Sequence, residues 1–103
     1  MLPLQNPTMR AARVRFNAGA HTNWHVHKDG QLLYIEKGRG RVQHWGGEIQ
    51  EFGASDLVYT APGEKHWHGA TPDSAITHIA VSINETDWKE RVTDEQYAPK
   101  HKK

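Results

Sequence analysis

Along this chain, hydrophobic and polar residues alternate with a period of two far more often than with the period of a helix. In "RAARVRFN", Ala12, Val14 and Phe16 alternate with Arg13 and Arg15, the pattern of a strand that buries one face. The segments "HTNWHVH", "QLLYIEKG", "RGRVQHWGG", "EIQEFG", "DLVYTAPG", "KHWHGA" and "AITHIAVSI" follow. Between them stand turn residues at Asp29-Gly30, Gly38, Gly46-Gly47, Gly53, Pro62-Gly63 and Pro72-Asp73. Many short strands with glycine and proline corners predict an all-β sandwich or barrel. Only "ETDWKERV", Glu85 to Val92, reads as a short helix. No repeat, low-complexity block or linker divides the chain. Residues 1–98 are expected to form a single domain, and residues 99–103 a basic, disordered tail.

Composition narrows this picture. The chain has 103 residues, with 36% hydrophobic content and a mean hydropathy of -0.83. A core this small gains from burying further surface, so an oligomer is expected. A formal net charge of +1 is too balanced for a nucleic-acid footprint. The absence of cysteine excludes disulfides, thiolate catalysis and cysteine-ligated metals. No apolar run is long enough to span a membrane, and "MLPLQNPTMR" lacks a signal-peptide core, so the expected location is cytoplasmic.

Eight histidines in so short a chain ask for a chemical explanation. Residues two apart on a strand share a face. His25 and His27 therefore point one way, with Trp24 and Val26 pointing the other. A strand gains little from burying imidazoles, whereas two neutral ring nitrogens on one rigid face suit a metal ion. Gln31, beyond the Asp29-Gly30 turn, can swing its amide oxygen to the same centre. "PGEKHWHGA" places His66 and His68 on another shared face, with Trp67 opposite. In "AITHIAVS", His78 lies on one face with Ala80 and Ser82. The isolated His21, His44 and His101 carry no such pattern and are read as ordinary surface or packing residues. If the paired histidines face a barrel interior, Trp24 and Trp67 lie outside it, and an oligomer interface is their expected cover.

These residues resemble the cupins. The first cupin motif is a glycine, five residues, His-x-His, three or four residues, a glutamate, six residues and a glycine. Gly19, His25, His27, Gln31 and Gly38 match that spacing, with glutamine in place of the glutamate. The second motif is matched less fully. Gly63 and His66 fit, but Pro62 falls one place late with Ala61 at its position, Ser55 stands near the leading glycine, and Ala70 replaces the asparagine. "GAHTNWHVHKDGQ", "PGEKHWHGA", "THIAVS" and "DWKERVTDEQY" are similar to the small single-domain bacterial cupins that include the manganese-dependent hydroxynitrile lyases. That resemblance spans about Ala12 to Tyr97. It implies a jelly-roll barrel (double-stranded β-helix) with a short C-terminal helix and a homodimer. It also implies a metal held by His25, His27, Gln31 and His66.

Three neutral imidazoles and an amide leave a divalent ion its full charge, where a carboxylate would cancel part of it. Mixed nitrogen and oxygen donors suit manganese, iron, cobalt, nickel or zinc, and the resemblance favours manganese or iron. The leading expectation is a metal-dependent lyase of small hydroxylated or carbonyl compounds, with cyanohydrin cleavage and synthesis the named case. His68 or His78 would move the proton, and Ala12, Val14 and Ser82 would line the substrate pocket. The alternatives are a metal-dependent dioxygenase and a non-catalytic small-molecule binder.

Overall fold

In the computed structural model, which describes residues 9–98, the chain forms eight strands and one short helix. The strands are β1 (Met9–Phe16), β2 (His25–His27), β3 (Gln31–His44), β4 (Gln50–Gly53), β5 (Leu57–Thr60), β6 (Lys65–Ala70), β7 (Ile76–Ile83) and β8 (Thr86–Trp88). The helix is α1 (Asp94–Tyr97). All strand pairs are antiparallel, in the order β1-β7-β3-β6-β2-β8, with β4 and β5 both added to β3. The result is a sheet curled into a half-barrel, the all-β jelly-roll class that the alternation predicts. The basic tail at residues 99–103 lies outside the described residues, as does His101.

β3 is the spine of this curl. Its first half pairs with β5 and β7, and its second half pairs with β4 and β6. Between the halves the ladder shifts register from Ile35 to Lys37, a bulge that bends the strand. Gly38 has a φ of +92°, and a Cβ there would fall on the Ala75 carbonyl oxygen. Gly38 is therefore a bend inside one continuous strand, where the sequence suggests a turn between two.

The register sorts side chains onto two faces, since directly opposed residues project the same way. Facing inward are Gln31, Leu33 and Ile35 of β3, with Ser82, Ala80 and His78 of β7 opposite them. On the other half, Val42 opposes His68 and His44 opposes His66, and His25 opposes both His66 and Trp88. The interior is thus graded. Its closed end is an apolar cluster of Leu33, Ile35, Val42, Phe52, Ala70 and Ile76, while imidazoles gather toward the other end.

Two sequence-based expectations are corrected. The segment Glu85–Val92 is not helical. Thr86–Trp88 adds β8 to the edge of β2, and the helix comes later, at Asp94–Tyr97, where Thr93 and Gln96 form a capping box. Trp24 and Trp67 do face away from the histidines, but they are only 2% and 0% exposed. Their cover is the chain's own C-terminal segment: Val92 and Tyr97 pack against both in a second core, joined by Ile49 and Ala98. Trp24 Nε1 donates to Gln96 Oε1 at 3.1 Å, and the Tyr97 hydroxyl donates to the Ala70 carbonyl. An oligomer interface is not needed to shield them.

Candidate metal centre

Two-residue alternation brings five imidazoles together. His25 and His27 come from β2, His66 and His68 from β6, and His78 from β7; all are buried. The His25 ring lies 4.3 Å from that of His66, 4.8 Å from that of His27 and 5.3 Å from that of His68. His27 and His66 are 5.3 Å apart, and His68 is 5.5 Å from His78. Ligand atoms of His25, His66 and His68 all lie within 4.8 Å of one another. His25 is therefore the hub, with His68 approaching the cluster from the apolar side.

The orientation of each ring is fixed from outside the cluster. His25 Nδ1 lies 2.8 Å from the Asn23 carbonyl oxygen, His66 Nδ1 lies 3.2 Å from that of Glu64, and His27 Nδ1 lies 3.0 Å from Thr86 Oγ1. Against a carbonyl, Nδ1 must donate its proton, which leaves Nε2 with a lone pair. His27 Nε2 and His66 Nε2 are both buried without a hydrogen-bond partner. Gln31 follows the same logic. Its Nε2 donates to Ser82 Oγ at 3.1 Å, which turns its buried Oε1 away from Ser82, and that oxygen has no hydrogen-bond partner among the described residues. Buried polar atoms without partners cost free energy unless a ligand satisfies them.

Electrostatics keep the rings neutral. Burial, then the neighbouring His25, pushes His27 down to about 4, while Gln31 works in the opposite direction. Burial and His25 push His66 down to about 3, against the opposing Glu64 carbonyl. His68 is held well below 6.5 by burial and the surrounding imidazoles, and burial lowers His25 and His78. Unprotonated rings carry the lone pairs that a cation needs. His25, His66 and His68 could together hold a metal ion, and His27, whose ring lies 4.8 Å from that of His25, offers a further buried nitrogen.

The other sequence-derived positions fall around this cluster. His68 Nδ1 and both ring nitrogens of His78 are unpartnered, and Phe16 packs against the two rings at 6.2 and 5.7 Å. Val14 opposes His78 and Ala12 opposes Ala80 in the β1–β7 ladder; Val14 is half-buried and Ala12 exposed. Ser82 is the Gln31 anchor. His44, across from His66 with rings 5.9 Å apart, approaches Glu64 at 3.6 Å. His21 stacks on Tyr97 at 4.8 Å. Sequence reasoning missed Thr86, which touches His27, and Trp88, whose ring lies 4.7 Å from that of His25. The alternating "TDW" was the available signal, hidden by a helical reading of its charged flanks.

Residues 12–82 match the family model described as a cupin domain. A curated (R)-mandelonitrile lyase of Granulicella tundricola is 48% identical over 90 residues, covering 84% of this chain and 69% of that protein. A crystal structure of a cupin-like protein from Thermotoga maritima superposes with a TM-score of 0.84 at 35% identity, over 86% of this chain and 70% of that one. A DMSP lyase from Ruegeria pomeroyi shares the fold at a TM-score of 0.65 and 21% identity, over 75% of this chain and 39% of that one.

Proposed function

The chain belongs to the cupin family, and from that premise we propose that it is a metal-dependent lyase of small hydroxylated or carbonyl compounds, cleaving and forming cyanohydrins. One observation carries the reading. Gln31 Oε1 and the Nε2 atoms of His27 and His66 are buried with no hydrogen-bond partner among the described residues, while their other polar atoms are tied down elsewhere. His25, His27, Gln31 and His66 are the proposed ligands, with Mn²⁺ the ion proposed first and Fe²⁺, Zn²⁺, Ni²⁺ and Co²⁺ as alternatives. The relative named as a mandelonitrile lyase supports the choice of reaction. When bound, such an ion supplies Lewis acidity toward negative charge growing on a substrate oxygen.

The chain's own groups handle the proton. His68, neutral because it is buried among other imidazoles, takes the hydroxyl proton at its unpaired Nδ1. The carbon–carbon bond then breaks to give an aldehyde and cyanide. His78, adjacent and with both nitrogens unpartnered, relays that proton to the departing cyanide. The reverse sequence forms the cyanohydrin.

The test is elemental analysis of the purified protein and of His25→Ala, His66→Ala and Gln31→Ala, followed by anaerobic assay with mandelonitrile. The wild type should hold near-stoichiometric metal and turn over without oxygen, and the three variants should lose metal. His68→Ala should keep metal and lose about 10²-fold or more in rate. Full metal in every variant, or no turnover with any of the five ions, would overturn the reading. Turnover that requires oxygen would point to the dioxygenase class instead.

A further inference from the structure

β1 and β8 are the two ends of the hydrogen-bonded strand order. Between them lies a cavity of about 650 Å³, lined by Arg10 of β1, Thr86 and Trp88 of β8, and by Lys28, Asn84 and Glu85. Three contacts join this cavity to the proposed ligands. Thr86 bonds His27, Trp88 lies on His25, and Arg10 sits opposite Ser82, which orients Gln31.

The lining has an unusual character. Trp88 is 59% exposed although one part of its ring rests on His25, so a large aromatic surface stays open to the cavity. Arg10 and Lys28 make no side-chain hydrogen bond or ion pair among the described residues. The single carboxylate of the lining, Glu85, leaves an excess of positive charge. A guanidinium binds a carboxylate through two parallel hydrogen bonds, and an indole face accepts a flat ring. A neutral nitrile or aldehyde offers no negative charge for either cation to pair with.

We propose that this cavity selects aromatic substrates bearing a carboxylate remote from the reacting hydroxyl, with the ring over Trp88 and the carboxylate on Arg10 and Lys28. The inference rests on the reading of the histidine cluster as the centre that takes the hydroxyl group. Glu85 sets a limit, since it disfavours a second negative charge on the ligand.

Calorimetric titration of the metal-loaded protein with 4-(hydroxymethyl)benzoate and its neutral amide, 4-(hydroxymethyl)benzamide, tests it without turnover. The two ligands share ring and hydroxyl, and the amide replaces the anionic carboxylate with a neutral group of similar size. The benzoate should bind about tenfold more tightly. That preference should vanish in the Arg10→Gln, Lys28→Gln double variant and persist in Arg10→Lys. Trp88→Leu should weaken both ligands alike. Equal binding in the wild type, or a preference that survives in the double variant, would overturn the proposal. The lyase reading is tested separately, by cleavage of mandelonitrile. If no cyanohydrin is cleaved while the charge preference stands, that reading falls and the recognition site remains. If mandelonitrile is cleaved and the two alcohols bind alike, this inference falls alone.

Discussion

Each proposed ligand is aimed by a partner on its far side. For His25 and His66 that partner is a backbone carbonyl two residues earlier in the chain, so the backbone leading into each strand sets the ring. For His27 it is the hydroxyl of Thr86, from another strand, and this is a point where one side chain can be changed in isolation. Thr86→Val keeps the shape and removes the hydrogen bond. Metal affinity should fall by about tenfold or more, measured by competition with a chelator, and an unchanged affinity would deny Thr86 its aiming role. Protonation gives a second prediction at this scale. Five buried histidines are lowered from 6.5, His27 to about 4 and His66 to about 3. Between those values and 6.5 the unfolded chain binds protons that the folded chain refuses, so acid favours unfolding. Urea midpoints of the metal-free protein should be nearly level above pH 7 and decline steadily from pH 6.5 toward 4. A midpoint flat across that range would contradict the burial of neutral rings.

Elements explain how far the sequence could be read. The His25-x-His27 and His66-x-His68 pairs declare their shared faces because a strand alternates strictly, and turn residues on either side fix where each strand stops. That was enough for the fold class and for the gathering of imidazoles. Long-range cover was not legible. Trp24 and Trp67 are alternation residues with no local clue to what lies over them, and their partners Val92 and Tyr97 come from the far end of the chain. β8 was missed for a related reason. As an edge strand it exposes Asp87 and Trp88 and is followed by exposed Lys89 and Glu90, and such a charged run imitates the polar face of a helix. The C-terminal cover should be structurally costly to remove. Trp67→Ala is expected to lower stability by about 3–5 kcal/mol in chemical denaturation, and a loss under 1 kcal/mol would show that the segment packs loosely on it.

On the scale of the whole molecule, the convex face is conspicuous. Leu32 opposes Tyr59 and Tyr34 opposes Leu57, all four exposed, with Leu57 at 65%. Val81 and Ile79 continue the same face through β7. We propose that a second copy of the chain covers this surface, since an exposed apolar sheet face suits a two-fold pair. Leu57→Glu should shift the species seen by light scattering from dimer to monomer, and a dimer that persists would place its interface elsewhere. Among the described residues, no helix is long and apolar enough to cross a membrane.

The seam between β1 and β8 carries a consequence of its own. Among the described residues each of those strands is bonded along one side only, so replacing a residue there disturbs one ladder rather than two. The foundation of the centre, in β2, β3 and β6, is locked on both flanks. The protein engineer thus meets a molecule divided into a braced hearth and an adjustable doorway, where substrate preference can be retuned without loosening the strands beneath.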